Sequence, residues 1–159
     1  MIKVGDALPP QKLTSATAEG PKELSMDDVF AGKKIVMFAV PGAFTPTCSV
    51  KHLPGYLDNI DALRAKGIDS VVCLAVNDPF VMGAWAKDQG VDGRITMLAD
   101  GSGAFTKSVG LELDLTARGL GIRSQRYAMV VDDGKVTHLE VEPPGGFEVS
   151  KAEHVLATL

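Results

Sequence analysis

Only two cysteines occur in the 159 residues, Cys48 and Cys73, with 24 residues between them. Two thiols do not make a secreted disulfide framework. No Cys-x-x-Cys pair exists, which argues against a thioredoxin-type dithiol oxidoreductase. Positive charge is sparse as well: 16 Lys and Arg stand against 20 Asp and Glu, a formal net charge of −4. Without a basic stripe or cluster, nucleic acid and anionic membranes are poor partners. No apolar run approaches the roughly 20 residues of a membrane span, and Met1–Pro10 lacks a signal-peptide apolar region. Internal repeats, low-complexity tracts and linkers are missing too. Asp100-Gly-Ser-Gly-Ala-Phe105 is glycine-rich but has neither the lysine nor the spacing of a phosphate loop, so it reads as a turn with a helix cap. What remains is one domain over residues 1–159, large enough to bury a real core and expected in a reducing cytosol.

Hydrophobic patterning then orders the chain. Residues 11–25 read as an amino-terminal hairpin with Glu19-Gly20-Pro21 as its turn, and Ser25-Met26-Asp27-Asp28 as a short helix start. A strand over 34–40 leads into a helix over 47–66, in which Leu53, Tyr56, Leu57, Ile60 and Leu63 recur at helical spacing. Strand 69–76, helix 79–89, strand 94–99 and a short helix near 103–109 follow. The stretch 110–122 reads as a mixed loop. Strands 126–132 and 135–142 flank Asp132-Asp133-Gly134, a hairpin signal, and a helix over 151–158 closes the chain. Strand–helix alternation followed by a terminal hairpin implies an α/β fold, a mixed central sheet with helices on both faces.

The most informative segment is Pro41-Gly-Ala-Phe-Thr-Pro-Thr-Cys48. The preceding run Ile35-Val-Met-Phe-Ala-Val40 is continuously apolar and reads as a strand buried on both faces. Pro46 keeps Thr45 out of the α region and suits the first helical position. Thr45 is then the N-cap and Cys48 the third helical residue, so the Thr45 hydroxyl is placed to accept from the Cys48 amide. A thiol in a first helical turn feels a favourable dipole worth about 0.3–1 kcal/mol. That is less than one pKa unit, about 1.4 kcal/mol. A mostly ionised thiolate, the nucleophilic form, therefore needs a cation as well, and arginine suits because it stays charged and offers fixed donors. His52 follows four residues later on the same helix face; a third or fourth metal ligand is not in sight.

Pro41, Thr45 and Cys48 fit the peroxiredoxin pattern Pro-x-x-x-Thr-x-x-Cys. The string Val40–Ser49, with His52-Leu-Pro-Gly55, resembles the type II, or peroxiredoxin-5-like, branch. Ser70–Met82, Leu98-Ala-Asp-Gly101 and Arg126-Tyr-Ala-Met-Val-Val131 are also similar to it. The resemblance implies a thioredoxin-like fold and reduction of hydrogen peroxide and alkyl hydroperoxides, with no metal or organic prosthetic group. It makes Cys48 the peroxidatic nucleophile, which becomes a sulfenic acid. Thr45 and Arg126 would bind thiolate and peroxide, and Pro41 would shield them from water. Arg123 is the rival arginine, but Arg126 has the matching context. His52 reads as pocket rim or as an ordinary surface histidine, and the resemblance places Phe44 at the rim too. Phe44, Phe80 and Trp85 could simply be core, whereas the resemblance puts them at a homodimer face.

Some relatives carry a resolving cysteine near the C-terminus. Here Val149 falls close to that position, so an outside thiol is expected to recycle Cys48, glutathione with glutaredoxin first and thioredoxin second. Cys73 lies within the apolar run Val71–Val76. In a parallel neighbouring strand it would sit roughly 10–13 Å short of the site, too far for a disulfide without local unfolding. It reads as a packing residue, with a resolving role as the weaker alternative. A different class remains open at this point: a redox sensor or chaperone-like interaction protein switched by Cys48 oxidation.

Overall fold

The computed structural model describes residues 1–159. Strands β1 (Leu13–Thr17) and β2 (Gly20–Leu24) form the amino-terminal hairpin, and α1 (Met26–Phe30) follows. Helix α1 starts in a capping box between Ser25 and Asp28, as Ser25-x-x-Asp28 suggests. Two crossover units come next. The first runs from β3 (Lys34–Val40) through α2 (Leu53–Asp58) and α3 (Ile60–Ala65) to β4 (Ser70–Ala75); the second from β4 through α4 (Pro79–Asp88) to β5 (Thr96–Ala99). Helix α5 (Ala104–Ser108), strands β6 (Glu112–Leu115) and β7 (Gly121–Ser124), the long hairpin β8 (Tyr127–Asp132) and β9 (Lys135–Val141), and α6 (Ala152–Thr158) complete the chain.

Seven strands make one sheet in the order β2-β1-β5-β4-β3-β8-β9. Strands β3, β4 and β5 are mutually parallel, as their helical crossovers require, and β8 and β1 flank them antiparallel. Alternate side chains leave the sheet on opposite faces. Val36, Phe38 and Val40 face α2, α3, α4 and α6, whereas Ile35, Met37 and Ala39 face α1 and α5. This is the mixed sheet with helices on both faces that the sequence implies. No helix is long and apolar enough to cross a membrane. The Asp133-Gly134 turn forms as expected, with φ of 49° and 79°, the left-handed pair that a type I′ turn demands.

Three local expectations are corrected. The first turn lies at Ala18-Glu19, with Thr17 paired to Gly20; Gly20 and Pro21 belong to β2, an edge strand where a proline is tolerated. Residues 112–124 are not a mixed loop but a small separate hairpin, β6 against β7. Glu112 and Asp114 are exposed and alternate with half-buried Leu113 and Leu115, a period-2 pattern only four residues long and so easily passed over in the sequence. The helix expected over 47–66 is interrupted twice. Residues Cys48–His52 form a π-turn in which the Leu53 amide bonds the Cys48 carbonyl. Pro54 explains it: without an N–H, and with a ring that clashes with the carbonyl four residues back, it cannot continue a regular turn. The second interruption is at Asn59, whose side-chain amide donates to the Gly55 carbonyl at 2.7 Å.

Candidate active site

The C-terminal end of β3 delivers the chain into Pro41–Thr45. The Ala43 amide donates to Asn77 Oδ1 at 2.9 Å, tying this loop to the end of β4. Phe44 takes φ +62°, a left-handed conformation that costs a non-glycine residue roughly 1–2 kcal/mol. That strained step lies two residues before the helical turn that leads into Cys48. The Thr45 hydroxyl is not a cap for Cys48: it donates to the Gly42 carbonyl at 2.7 Å, a shorter local path than reaching into the helix. Cys48 is fully buried, and Arg126 Nη2 donates to its Sγ at 3.1 Å. Arg126 stands immediately before β8, the strand that pairs antiparallel with β3. Its rival Arg123 bonds the loop instead of the sulfur, with Nη1 on the Pro41 carbonyl at 3.4 Å and Nε on the Leu120 carbonyl at 2.8 Å.

His52 does not sit on the pocket rim. It is fully buried, because the π-turn leads straight into α2, whose Tyr56 stacks on Phe38 with ring centroids 4.0 Å apart. The His52 ring packs against Phe38 and Phe147. Its Nδ1 lies 2.8 Å from Arg126 Nη1 and its Nε2 3.1 Å from the Ser150 carbonyl. Nδ1 faces a guanidinium that can only donate, and Nε2 faces a carbonyl that can only accept. The ring is therefore neutral with its proton on Nε2. Burial, and then the Arg126 charge, depress His52 to about 3 against an ordinary 6.5, although the Ser150 bond acts the other way.

This has a consequence for stability. Above pH 6.5 His52 is neutral in both the folded and unfolded chain. Below it the unfolded chain takes a proton that the native ring refuses, so stability falls as pH drops from 6.5 toward 3. The slope is roughly 1.4 kcal/mol per pH unit. Urea unfolding at pH 5 against pH 7 should therefore lose about 2 kcal/mol to this group. A His52→Gln variant should lose correspondingly less; an identical loss in the variant would contradict the assignment.

Glu142 and Ser150 were not foreseen as part of the site. Ser150 is fully buried and Glu142 nearly so. Glu142 Oε2 accepts from Ser150 Oγ at 2.7 Å, the Ser150 amide at 2.9 Å and the Glu148 amide at 2.7 Å. Burial pushes Glu142 up, but these bonds, Ser150's foremost, outweigh it and hold the carboxyl below its usual range. The only advance signal was a glutamate followed by Pro-Pro-Gly-Gly, which reads as a turn. A cleft of about 140 Å³ opens beside Arg126, lined also by Thr47, Gln125, Glu142 and the turn Pro143–Gly146. Neither Phe44 nor His52 lines it. Phe44 and Phe80 are exposed, but Trp85 is fully buried, with its indole N–H donating to Ser49 Oγ at 2.9 Å. Trp85 therefore supports the helix of the site rather than an outer face.

Cys73 pairs in register with Phe38 on β3 and is fully buried. Both cysteines are free. Burial, followed by the neighbouring Cys48 sulfur, pushes the Cys73 thiol well above its usual range, so it stays protonated and poorly nucleophilic.

A buried sulfur held by a guanidinium, at the start of a helix above parallel strands, defines a thiol-based redox enzyme on a thioredoxin-like sheet. Comparison with known proteins agrees. The Redoxin family model matches residues 3–156. Peroxiredoxin-2C of Oryza sativa subsp. japonica is 48% identical over 159 residues, covering 99% of this chain and 98% of its own. Reduced Prx3 of Vibrio vulnificus in complex with hydrogen peroxide has a TM-score of 0.94 at 53% identity, covering 99% of each chain. Peroxiredoxin 5 of Alvinella pompejana has a TM-score of 0.88 at 38% identity, covering 99% of this chain and 97% of its own. The chain belongs to the peroxiredoxin family. It is an enzyme, a thiol peroxidase.

Proposed function

We propose that Cys48 is the peroxidatic nucleophile and that a thiol from outside the chain recycles it. The observation that carries this reading is the 3.1 Å bond from Arg126 Nη2 to Cys48 Sγ. It sets a fixed charged donor at the one sulfur that stands at the helix start, where charge develops as an O–O bond breaks. The thiolate attacks one oxygen of hydrogen peroxide or an alkyl hydroperoxide, the S–O bond forms as the O–O bond breaks, and the departing oxygen takes a proton to leave as water or alcohol. Arg126 and the Thr45 hydroxyl, once turned from Gly42, stabilise the charge on that oxygen. Pro41, at the head of the loop, keeps water from the sulfur. The product on the chain is a Cys48 sulfenic acid.

A thiol then attacks that sulfenic sulfur, releasing water and leaving a mixed disulfide, which a second thiol resolves. Cys73 is a poor candidate for the first thiol: it is buried within the sheet and kept protonated. Glutathione with glutaredoxin is our first choice of reductant and thioredoxin the second. Free cysteines on a chain of this chemistry suit a reducing cytosol. Phe44 and Phe80 are exposed, which suits the homodimer face that the family resemblance implies for them.

The test is turnover with purified reductants. Wild type and Cys73→Ala should consume peroxide at rates within about threefold of each other with glutathione and glutaredoxin, and a Cys48–glutathione adduct should be trapped. A Cys48–Cys73 disulfide in the oxidised wild type, with turnover lost in Cys73→Ala, would replace this cycle by an internal one that unwinds the π-turn. Oxidation of Cys48 without turnover under any thiol would favour the sensor reading.

A further inference from the structure

Arg126 meets Cys48 with one terminal nitrogen and His52 with the other, and nothing in the peroxidase chemistry accounts for the second contact. Following the bonds outward from it returns to Arg126. His52 Nε2 donates to the Ser150 carbonyl, which also takes the Tyr56 hydroxyl at 2.7 Å. The Ser150 amide and hydroxyl both donate to Glu142 Oε2. The Glu142 amide in turn donates to the Arg126 carbonyl at 2.9 Å. The circuit thus starts at the backbone of Arg126 and ends at its guanidinium. Phe147, carried on the same segment, meets the His52 ring edge-on with centroids 5.1 Å apart, and its ring lies 5.8 Å from the Arg126 guanidinium.

We propose that Glu142 is a positioning residue for peroxide reduction: its carboxylate holds Ser150, the Ser150 carbonyl fixes His52 as the Nε2–H tautomer, and His52 aims Arg126 at Cys48. A planar guanidinium with one anchored nitrogen can still swing; with two it is fixed in plane. His52 can accept from Arg126 only while Nδ1 is bare, and the Ser150 carbonyl ensures this by taking the ring proton on the far side, as an outer partner does for a metal-bound histidine. Ser150 lies at the end of a turn containing Pro143-Pro144-Gly145-Gly146, which has no regular structure of its own. The three bonds to Glu142 fix where that carbonyl points.

The idea rests on Cys48 being the reacting thiol, so the test has one readout that needs no peroxide. Alkylation of Cys48 by iodoacetamide across pH 5–9 reports its thiolate fraction, and the rate with hydrogen peroxide is measured separately. Glu142→Ala should slow peroxide reduction about 10- to 100-fold, the scale of a misplaced catalytic group, and move the alkylation profile to higher pH. Glu142→Gln keeps an acceptor oxygen for Ser150 and should stay within about fivefold of wild type. A purely electrostatic role for the carboxylate predicts the opposite: Ala and Gln behave alike, and both move the profile to lower pH, because a negative charge has gone. That result, or an unaltered profile in Glu142→Ala, overturns the proposal. If Glu142→Ala does not fold, ring-nitrogen NMR of wild-type His52 decides: an Nδ1–H or protonated ring at pH 7 overturns it. A wild type that alkylates normally but leaves peroxide intact would instead sink the peroxidase reading, with the alkylation comparison still valid.

Discussion

Cys48→Ser is expected to keep the fold and lose peroxide reduction altogether. The sulfur is fully buried and bonded to Arg126. The other thiol, Cys73, is packed within the sheet and kept protonated. A serine hydroxyl at position 48 would occupy the same place but would not ionise near neutral pH. The loss should be on the order of 10⁴- to 10⁶-fold, as when another enzyme's nucleophile is removed. Burying a hydroxyl costs roughly 1–3 kcal/mol when unpaired, but Arg126 Nη2 remains to bond it, so the melting temperature should change little. Peroxide consumption followed at 240 nm, with a melting curve as control, measures both. Appreciable turnover in this variant would move the chemistry to Cys73 and undo the site as described.

Arg126→Met carries the second large effect. Methionine matches much of the arginine stem, so packing against Phe147 is partly kept while both polar contacts vanish. Removing one preorganised donor to a developing anion costs roughly 10²- to 10³-fold. Arg126 serves the resting sulfur as well, so the upper part of that range is expected. Arg126→Lys should recover only part of the loss, since a single ammonium cannot span Cys48 and His52 as a fork does. Arg123→Met should change less than Arg126→Met. The reverse order would hand the role to the arginine that lies on the Pro41 carbonyl.

Much of this was legible in the sequence, for identifiable reasons. Ile35–Val40 and Val71–Val76 are uninterrupted apolar runs, and both proved to be buried central strands. Cys48 could be placed at a helix start because Pro41, Gly42 and Pro46 are local signals that act through backbone sterics. Arg126 was chosen over Arg123 by its resemblance to a family pattern; the residues alone did not separate them. The failures share a cause. Whether Thr45 caps Cys48 or bonds Gly42, whether His52 faces solvent or the core, and whether Trp85 lies inside all depend on how a turn packs against distant strands. Pro54-Gly55 within the predicted helix was a readable warning of the π-turn, since proline in a helix interior must disturb it. Glu142 and Ser150 had no such warning: eight positions apart in a turn, they are joined by one carboxylate accepting several donors.

Chemical labelling reads directly whether Cys48 is the sulfur that takes the peroxide oxygen. Reduced protein is mixed with one equivalent of hydrogen peroxide, quenched within seconds with a sulfenic-acid-selective dione, and mapped by mass spectrometry. The label is expected on Cys48, with Cys73 left as an unmodified thiol. Both cysteines still reduced, with the peroxide unconsumed, would contradict it.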